Sequence, residues 1–369
     1  MEFKVSSGEL LKHLNMAAGA IHTNPVLAIT EDFLVDIRKG KMTITATNLE
    51  TSISTRLPVE SKDNGAVAIP ARILLETLKA LPNQTVTFSA DIEQRSLVLT
   101  TETGMYKMAV DPPDDFPALP VSDGQEIQLP VERLLAGINY TIFATTSDEM
   151  RPAMTGVNMV IDFNKISFVA SDGHKLVRYH ALGVSTDQTG SFVVPKKSMA
   201  LLKNAAPSEG DVYLKYNASH AFFRFENTEV VTRLISQAYP DFNAVIPVNN
   251  KNKLHISRTQ LLGALRRINI FANRTTNQVF FRLTDSSLTI TTKDVDFSNE
   301  ASEQLSCEYV GEPMDIAFNA RFFIELLSAL AQEDIHMTLS VPSKPVLIYP
   351  DEQLENEDVM MLIMPVIIY

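Results

Sequence analysis

The sequence predicts an α+β protein of three homologous domains, each made of two β-α-β-β-β halves. Three observations carry this. A strand-helix segment with a Leu-Leu pair occurs three times, a second strand-helix segment recurs at the same period, and alternating β-rich stretches follow. The period of about 125 residues is far longer than a solenoid repeat, so each copy can close its own core.

The first segment opens the chain as "MEFKVSSGELLKHLNMAA", returns as "IQLPVERLLAGINYTIFA" from Ile127, and again as "LHISRTQLLGALRRINIFA" from Leu254. In each, a short alternation reads as a strand, a polar break follows, and apolar residues then recur at helical spacing. Leu10-Leu11, Leu134-Leu135 and Leu261-Leu262 mark the common register. The stretches "KMTITATNLETSIS", "KISFVASDGHKLVRY" and "SLTITTKDVDFSNEA" come next and read as paired strands. The second halves start with "AIPARILLETLKAL" from Ala68, "VVPKKSMALLKNAA" from Val193 and "IAFNARFFIELLSALA" from Ile316. Pro70 and Pro195 fall near a helix start, where a missing N–H is tolerated. "DDFPALP" near Asp114 and "PDFNAVIP" near Pro240 close the first two copies, and "LIMPV" holds the matching place in the third. The expected domains are therefore 1–121, 122–248 and 249–369.

Composition excludes several classes. The chain has 369 residues and a single cysteine, Cys307, so it has no intrachain disulfide framework and fits a reducing, cytoplasmic setting. No basic segment followed by an apolar one opens it as a secretory signal would. The longest apolar run, "VMMLIMPVIIY" at 359–369, is too short to cross a bilayer as a helix. It reads as an edge strand of the third domain followed by an apolar tail.

The net charge of −12 argues against a nucleic-acid partner until it is resolved by segment. The helical windows are 6–22, 70–81, 130–146, 195–205, 257–276 and 319–331. They hold 12 basic residues, Lys12, Arg72, Lys79, Arg133, Lys196, Lys197, Lys203, Arg258, Arg266, Arg267, Arg274 and Arg321, against 4 acidic ones, Glu9, Glu76, Glu132 and Glu325. The remainder of the chain then carries −20. Solvated helices normally use Glu as freely as Lys and Arg. A basic, helix-borne surface facing phosphate accounts for the split better, and counterion release would let it hold a duplex without reading bases. No recognition-helix cluster, zinc-finger spacing or aromatic stacking platform stands on these helices.

Enzyme motifs fail one by one. The chain has no dinucleotide or P-loop glycine pattern, no H-E-x-x-H, and no G-x-S-x-G. With scattered histidines and one cysteine, no zinc site forms at usual spacing, and no metal or cofactor is expected. "SDGHKL", Ser171 to Leu176, gathers triad residue types, but triad members come from separated segments and Asp-Gly makes a turn between strands. "DPPDDFP" reads as a rigid connector in preference to a magnesium site.

Three repeats of this length, with "SDGHKLVRY", "YPDFNAVIP" and a terminal "LIMPV" in that order, resemble the bacterial sliding clamps, the beta subunits of DNA polymerase III. The resemblance covers essentially the whole chain. It implies the DNA-clamp fold in a head-to-tail homodimer closed into a ring, with helices lining the hole and antiparallel sheets outside. Such a protein does no chemistry: it encircles duplex DNA in the nucleoid, without sequence specificity, as a processivity factor. Implied partners are the replicative polymerase subunit, other polymerases and repair proteins, and a separate ATP-dependent clamp loader.

The resemblance also implies a hydrophobic peptide pocket between the second and third domains. On matching positions its walls are Met154, Ser171, Gly173, His174, Lys175, Leu176, Pro240, Val245, Ser343, Pro345, Leu362, Ile363, Met364, Pro365 and Val366. Aliphatic and Met side chains of this kind suit Leu or Phe anchors of many peptides. The DNA-facing set would be Lys12, Arg72, Lys79, Arg133, Lys196, Lys197, Lys203, Arg266, Arg267 and Arg321. Tyr106 and Met108 would meet Ile270 and Phe271 of a second copy.

Some positions depart from the family pattern. Lys175 replaces a commoner arginine, Ala244 a residue that is basic in some relatives, and "VIIY" an ending that often carries a basic residue. Less electrostatic help for acidic partner residues is the expected consequence. Asn24 stands where some relatives contact DNA with arginine. A repeat scaffold or adapter with a basic helical face, and an enzyme using the Ser171–His174 turn, are the competing readings.

Overall fold

The computed structural model describes residues 1–22, 25–121 and 124–367. Among them the β-α-β-β-β pattern occurs six times. The first half-repeat is β1 (Glu2–Ser6), α1 (Ser7–Ala18), β2 (Asp32–Arg38), β3 (Lys41–Thr47) and β4 (Thr51–Pro58), followed by a short β5 (Glu60–Ser61). The second is β6 (Gly65–Pro70), α2 (Ala71–Ala80), β7 (Thr85–Asp91), β8 (Ser96–Thr100) and β9 (Met105–Ala109). The third is β10 (Ile127–Pro130), α3 (Val131–Thr141), β11 (Gly156–Asp162), β12 (Lys165–Ser171) and β13 (Lys175–Leu182). The fourth is β14 (Gly190–Pro195), α4 (Lys196–Ala205), β15 (Asp211–Tyr216), β16 (His220–Phe225) and β17 (Thr228–Arg233). The fifth is β18 (Asn252–Ser257), α5 (Arg258–Ile268), β19 (Gln278–Thr284), β20 (Ser287–Asp294) and β21 (Asn299–Ser306), with a short β22 (Glu308–Val310). The sixth is β23 (Met314–Asn319), α6 (Ala320–Ala329), β24 (Asp334–Leu339), β25 (Val346–Pro350) and β26 (Glu357–Ile363).

Each helix exists because one stripe of it is apolar. In α1 the buried positions are Ser7, Leu10, Leu14 and Ala17, at the spacing of one helical face. Two helices start on side-chain caps. Ser257 accepts a hydrogen bond from the Gln260 N–H, and Asn319 accepts from Arg321 and Phe322. The Arg258 guanidinium donates to the carbonyls of Leu327 and Gln332, which satisfies acceptors at the end of α6.

The chain forms two compact units, Met1–Glu132 with Lys197–Leu234, and Arg133–Lys196 with Ile235–Tyr369. The first holds a five-stranded sheet, β5-β1-β7-β8-β9, and an eight-stranded sheet, β10-β15-β16-β17-β4-β3-β2-β6. The second holds a nine-stranded sheet, β14-β11-β12-β13-β26-β25-β24-β18-β22, and a four-stranded sheet, β21-β20-β19-β23. The larger sheet in each is continued across a repeat boundary by antiparallel pairing, β4 with β17 in the first unit and β13 with β26 in the second.

That pairing sharpens one expectation. Among the strands of residues 249–369 in this sheet β26 is an outermost one, as expected. Its open edge is taken by β13, so in the whole sheet β26 is interior, bonded to β13 on one side and β25 on the other. Val359 to Ile363 are all buried, because both strand edges are paired and both faces are covered. Past the strand, Val366 donates its N–H to Ala317, pinning the chain beside β23. Ile368, Tyr369 and Asn24 lie outside the described residues. No helix among the described residues is long and apolar enough to cross a membrane.

Candidate functional site

The "SDGHK" segment is a tight turn joining β12 to β13. Gly173 takes φ of +91°, which an L side chain rarely adopts, and a Cβ there would also meet the Arg151 guanidinium at 2.9 Å. The Asp172 carboxylate accepts from the His174 and Lys175 N–H groups, both at 2.9 Å. The Ser171 hydroxyl donates to the Lys175 carbonyl and accepts from the Gly173 N–H. The Ser171 hydroxyl and one Asp172 carboxylate oxygen are thus occupied in shaping the turn. The His174 ring lies flat on Phe322 at 5.2 Å between centroids. Among the described residues no group of three or more His, Cys, Asp or Glu stands ready to hold a metal.

Beside this turn is a cavity of about 220 Å³. It gathers Met154, Ser171, Gly173, His174, Lys175, Leu176, Pro240, Val245, Leu362 and Met364 of the expected pocket residues, all within the second unit. Two of its lining residues, Leu176 and Leu362, belong to a buried cluster with Val169, Leu347 and Met360, against which Tyr239, Phe242 and Ile246 pack. Met364 reaches the rim because its N–H bonds the His174 carbonyl at 2.8 Å, continuing the ladder one step beyond the strand.

Ser343, Pro345, Ile363, Pro365 and Val366, also expected in the wall, do not line the cavity. For Ile363 the reason is strand alternation: Leu362 and Met364 share one face, and Ile363 points to the other, where it is fully buried. Val366 is held at β23, and the Pro345 carbonyl serves Asn250. The expected set also missed Tyr239, Asp241 and Phe242, which line the cavity between Pro240 and Val245. Burial and the nearby Asp172 carboxylate push the Tyr239 hydroxyl above its ordinary value, so it stays neutral.

Polar contacts close one side. Lys175 is buried, its ammonium 2.5 Å from Asp172, 3.0 Å from Glu325 and 4.6 Å above the Phe322 ring. Arg151 pairs with Asp148 at 2.9 Å and donates to the Asp172 carbonyl.

On the helices, Lys12, Arg72, Lys79, Lys196, Lys197, Lys203, Arg266, Arg267 and Arg321 are all exposed. Arg133 is not: its guanidinium is folded against Glu357 and donates to the Glu355 carbonyl, 222 residues away in sequence. A carboxylate from β26 neutralises it, so the expected DNA-facing role does not fit its position. Arg267 is exposed but shares its charge with Glu303 at 2.6 Å.

The edge strands β9 and β21 each leave one backbone edge unpaired within their sheets. Tyr106 on β9 is exposed, as are Ile270 and Phe271 after α5. Met108 is buried instead, because it pairs with Leu97 and turns inward to the core of the first unit.

Six helix-plus-sheet halves joined through antiparallel sheets define a protein of the DNA-clamp fold. Models of the DNA polymerase III beta subunit match the chain end to end: the N-terminal domain over residues 1–120, the central domain over 128–241 and the C-terminal domain over 243–367. The beta sliding clamp of Synechococcus elongatus is 28% identical over 362 residues, covering 95% of this chain and 96% of the relative. That of Staphylococcus epidermidis is 26% identical over 380 residues, covering all of both. Among solved structures, the Bacillus subtilis DNA polymerase sliding clamp superposes with a TM-score of 0.94 at 22% identity over the full length of both chains, a likeness of fold alone. A putative DNA polymerase III beta subunit from Eubacterium rectale gives 0.92 at 25% identity, again over both full lengths. The chain belongs to the DNA polymerase III beta subunit family, the sliding clamps. Its function is that of a DNA sliding clamp, a non-catalytic processivity factor of replication.

Proposed function

We propose that two copies of this chain, each of three clamp domains at 1–121, 122–248 and 249–369, close head-to-tail into a ring around duplex DNA. The exposed cations of the six helices would face the phosphates, so the protein slides without reading sequence. The open backbone edges of β9 and β21, with Tyr106, Ile270 and Phe271 beside them, support pairing between copies. The 220 Å³ apolar cavity would receive hydrophobic peptides of the replicative polymerase subunit and of other polymerases and repair proteins. An ATP-dependent loader would open the ring, since the chain carries no nucleotide motif of its own. The setting is cytoplasmic, at the nucleoid.

The observation that carries this reading is the division of charge, with cations concentrated on exposed helix faces of an acidic protein. Protein loaded onto nicked circular DNA should be retained through gel filtration and released on linearisation. Equally fast loss from circular and linear DNA would contradict the ring.

A further inference from the structure

One ammonium and one carboxylate line the cavity: Lys175, which is buried, and Asp241, which is exposed. The single ammonium of Lys175 faces two carboxylates, Asp172 and Glu325, which leaves one charge in excess. Asp241 lines the cavity, is exposed, and has no ion-pair partner among the described residues; its contact is the Asn243 N–H at 3.1 Å. Arg151 adds nothing to the balance, because Asp148 neutralises it. Glu325, Arg321 and Lys344 all stand outside the lining itself, so within it Lys175 is already neutralised and Asp241 is the carboxylate left unpaired. The apolar part of the lining, by contrast, is hydrocarbon and thioether, with Leu176 and Leu362 backed by Val169, Leu347 and Met360.

We infer that this cavity selects peptides whose apolar anchors are flanked by Lys or Arg, and discriminates against peptides with acidic flanks. The inference rests on the cavity being a peptide site, as proposed above. Apolar side chains of the lining supply affinity to any hydrophobic peptide, while the unpaired Asp241 carboxylate, reinforced by the one negative charge in excess around Lys175, sets the sign of the preferred neighbour. Glu325 is 42% exposed, so its field is screened by salt but not abolished.

The test uses the full-length protein and two synthetic peptides sharing one Leu-Leu-Phe core, one flanked by lysines and the other by glutamates. Fluorescence anisotropy at low salt should show the lysine peptide binding about tenfold more tightly, the scale of one or two charge pairs a few ångströms apart at a wet surface. The ratio should shrink towards unity at high salt, and the Glu325→Gln, Asp241→Asn double variant should lose most of it. Equal binding, or tighter binding of the glutamate peptide, would overturn the inference while leaving the cavity a peptide site. Absence of binding by either peptide would overturn the cavity reading itself, and this inference with it.

Discussion

Each unit contains one seam where strands of neighbouring repeats pair, and the two seams share a geometry but not a chemistry. In the first, Asn48 bonds Thr51 to close the β3–β4 turn, and Arg233 donates to the Glu50 carbonyl at 2.7 Å. In the second, Asp172 bonds Lys175 in the β12–β13 turn, and Met364 donates to the His174 carbonyl at 2.8 Å. Leu49 and Gly173 both take positive φ at corresponding places. The facing side chains differ. The first seam sets Thr51 against Thr232 and Thr55 against Thr228; the second sets Leu176 against Leu362 and Val177 against Met361. The hydroxyls of the first satisfy one another and their surroundings. Thr55 is hydrogen-bonded to His13 at 2.7 Å and to Thr228 at 3.1 Å, and Thr51 to Ser198 at 2.8 Å. Alkyl groups cannot saturate in that way, and where the second seam meets the 239–246 segment it leaves an apolar cavity. One topology therefore yields a hydrogen-bonded polar joint and an apolar one.

The comparison breaks most visibly by truncation. Met361→Ala removes a fully buried side chain from the apolar seam and should cost about 2–5 kcal/mol, read as a lower urea midpoint by circular dichroism. The two units should also respond oppositely to pH. Asp32, at the start of β2, has its pKa raised to about 7 by burial and by the neighbouring Asp111 and Glu31 carboxylates. The fold favours its neutral form, so its contribution is full at acid pH and lost as pH rises from about 4 through 7. Asp32→Asn should therefore stabilise the protein by about 3 kcal/mol at pH 8 and by little at pH 4. His180, in β13, is held down to about 4 by burial and by Arg178. Stability is lost there as pH falls from about 6.5 towards 4, and His180→Gln should relieve that loss. Melting curves across pH test both signs.

A smaller effect sharpens the contrast. Thr55→Val keeps the shape of the polar seam but strands the partners His13 and Thr228, and should cost about 1–3 kcal/mol by the same urea titration. Smallest is Arg267→Ala. Its pair with Glu303 is exposed and screened by solvent, so the variant's unfolding midpoint should stay near that of the unmodified protein.

The sixfold repeat was legible because strand alternation and the Leu-Leu pairs are local signals. The helices end sooner than their sequence windows: α1 stops at Ala18 and α5 at Ile268, where Gly19 and Asn269 follow. What stayed hidden is non-local. Arg133 counts as a helix cation until Glu357 arrives from the far end of the chain. Met108 reads as one more residue of an exposed edge until its pairing with Leu97 turns it inward. The interior position of β26 depends on β13, from another repeat, and no periodicity within "VMMLIMPVIIY" encodes that. Tyr239, Asp241 and Phe242 lay inside a segment already singled out, and the signal that could have found them was the aromatic pair flanking its Pro-Asp.

The central claim is that the apolar seam, and not its polar counterpart, takes a partner. Methyl NMR of methionine-labelled protein titrated with a Leu-Phe peptide tests it most directly. Shifts should concentrate at Met154 and Met364, which line the cavity, and at Met360 beneath it, while Met16 beside the polar seam stays still. Shifts centred on Met16, or none at Met154 and Met364 under saturating peptide, would contradict the account.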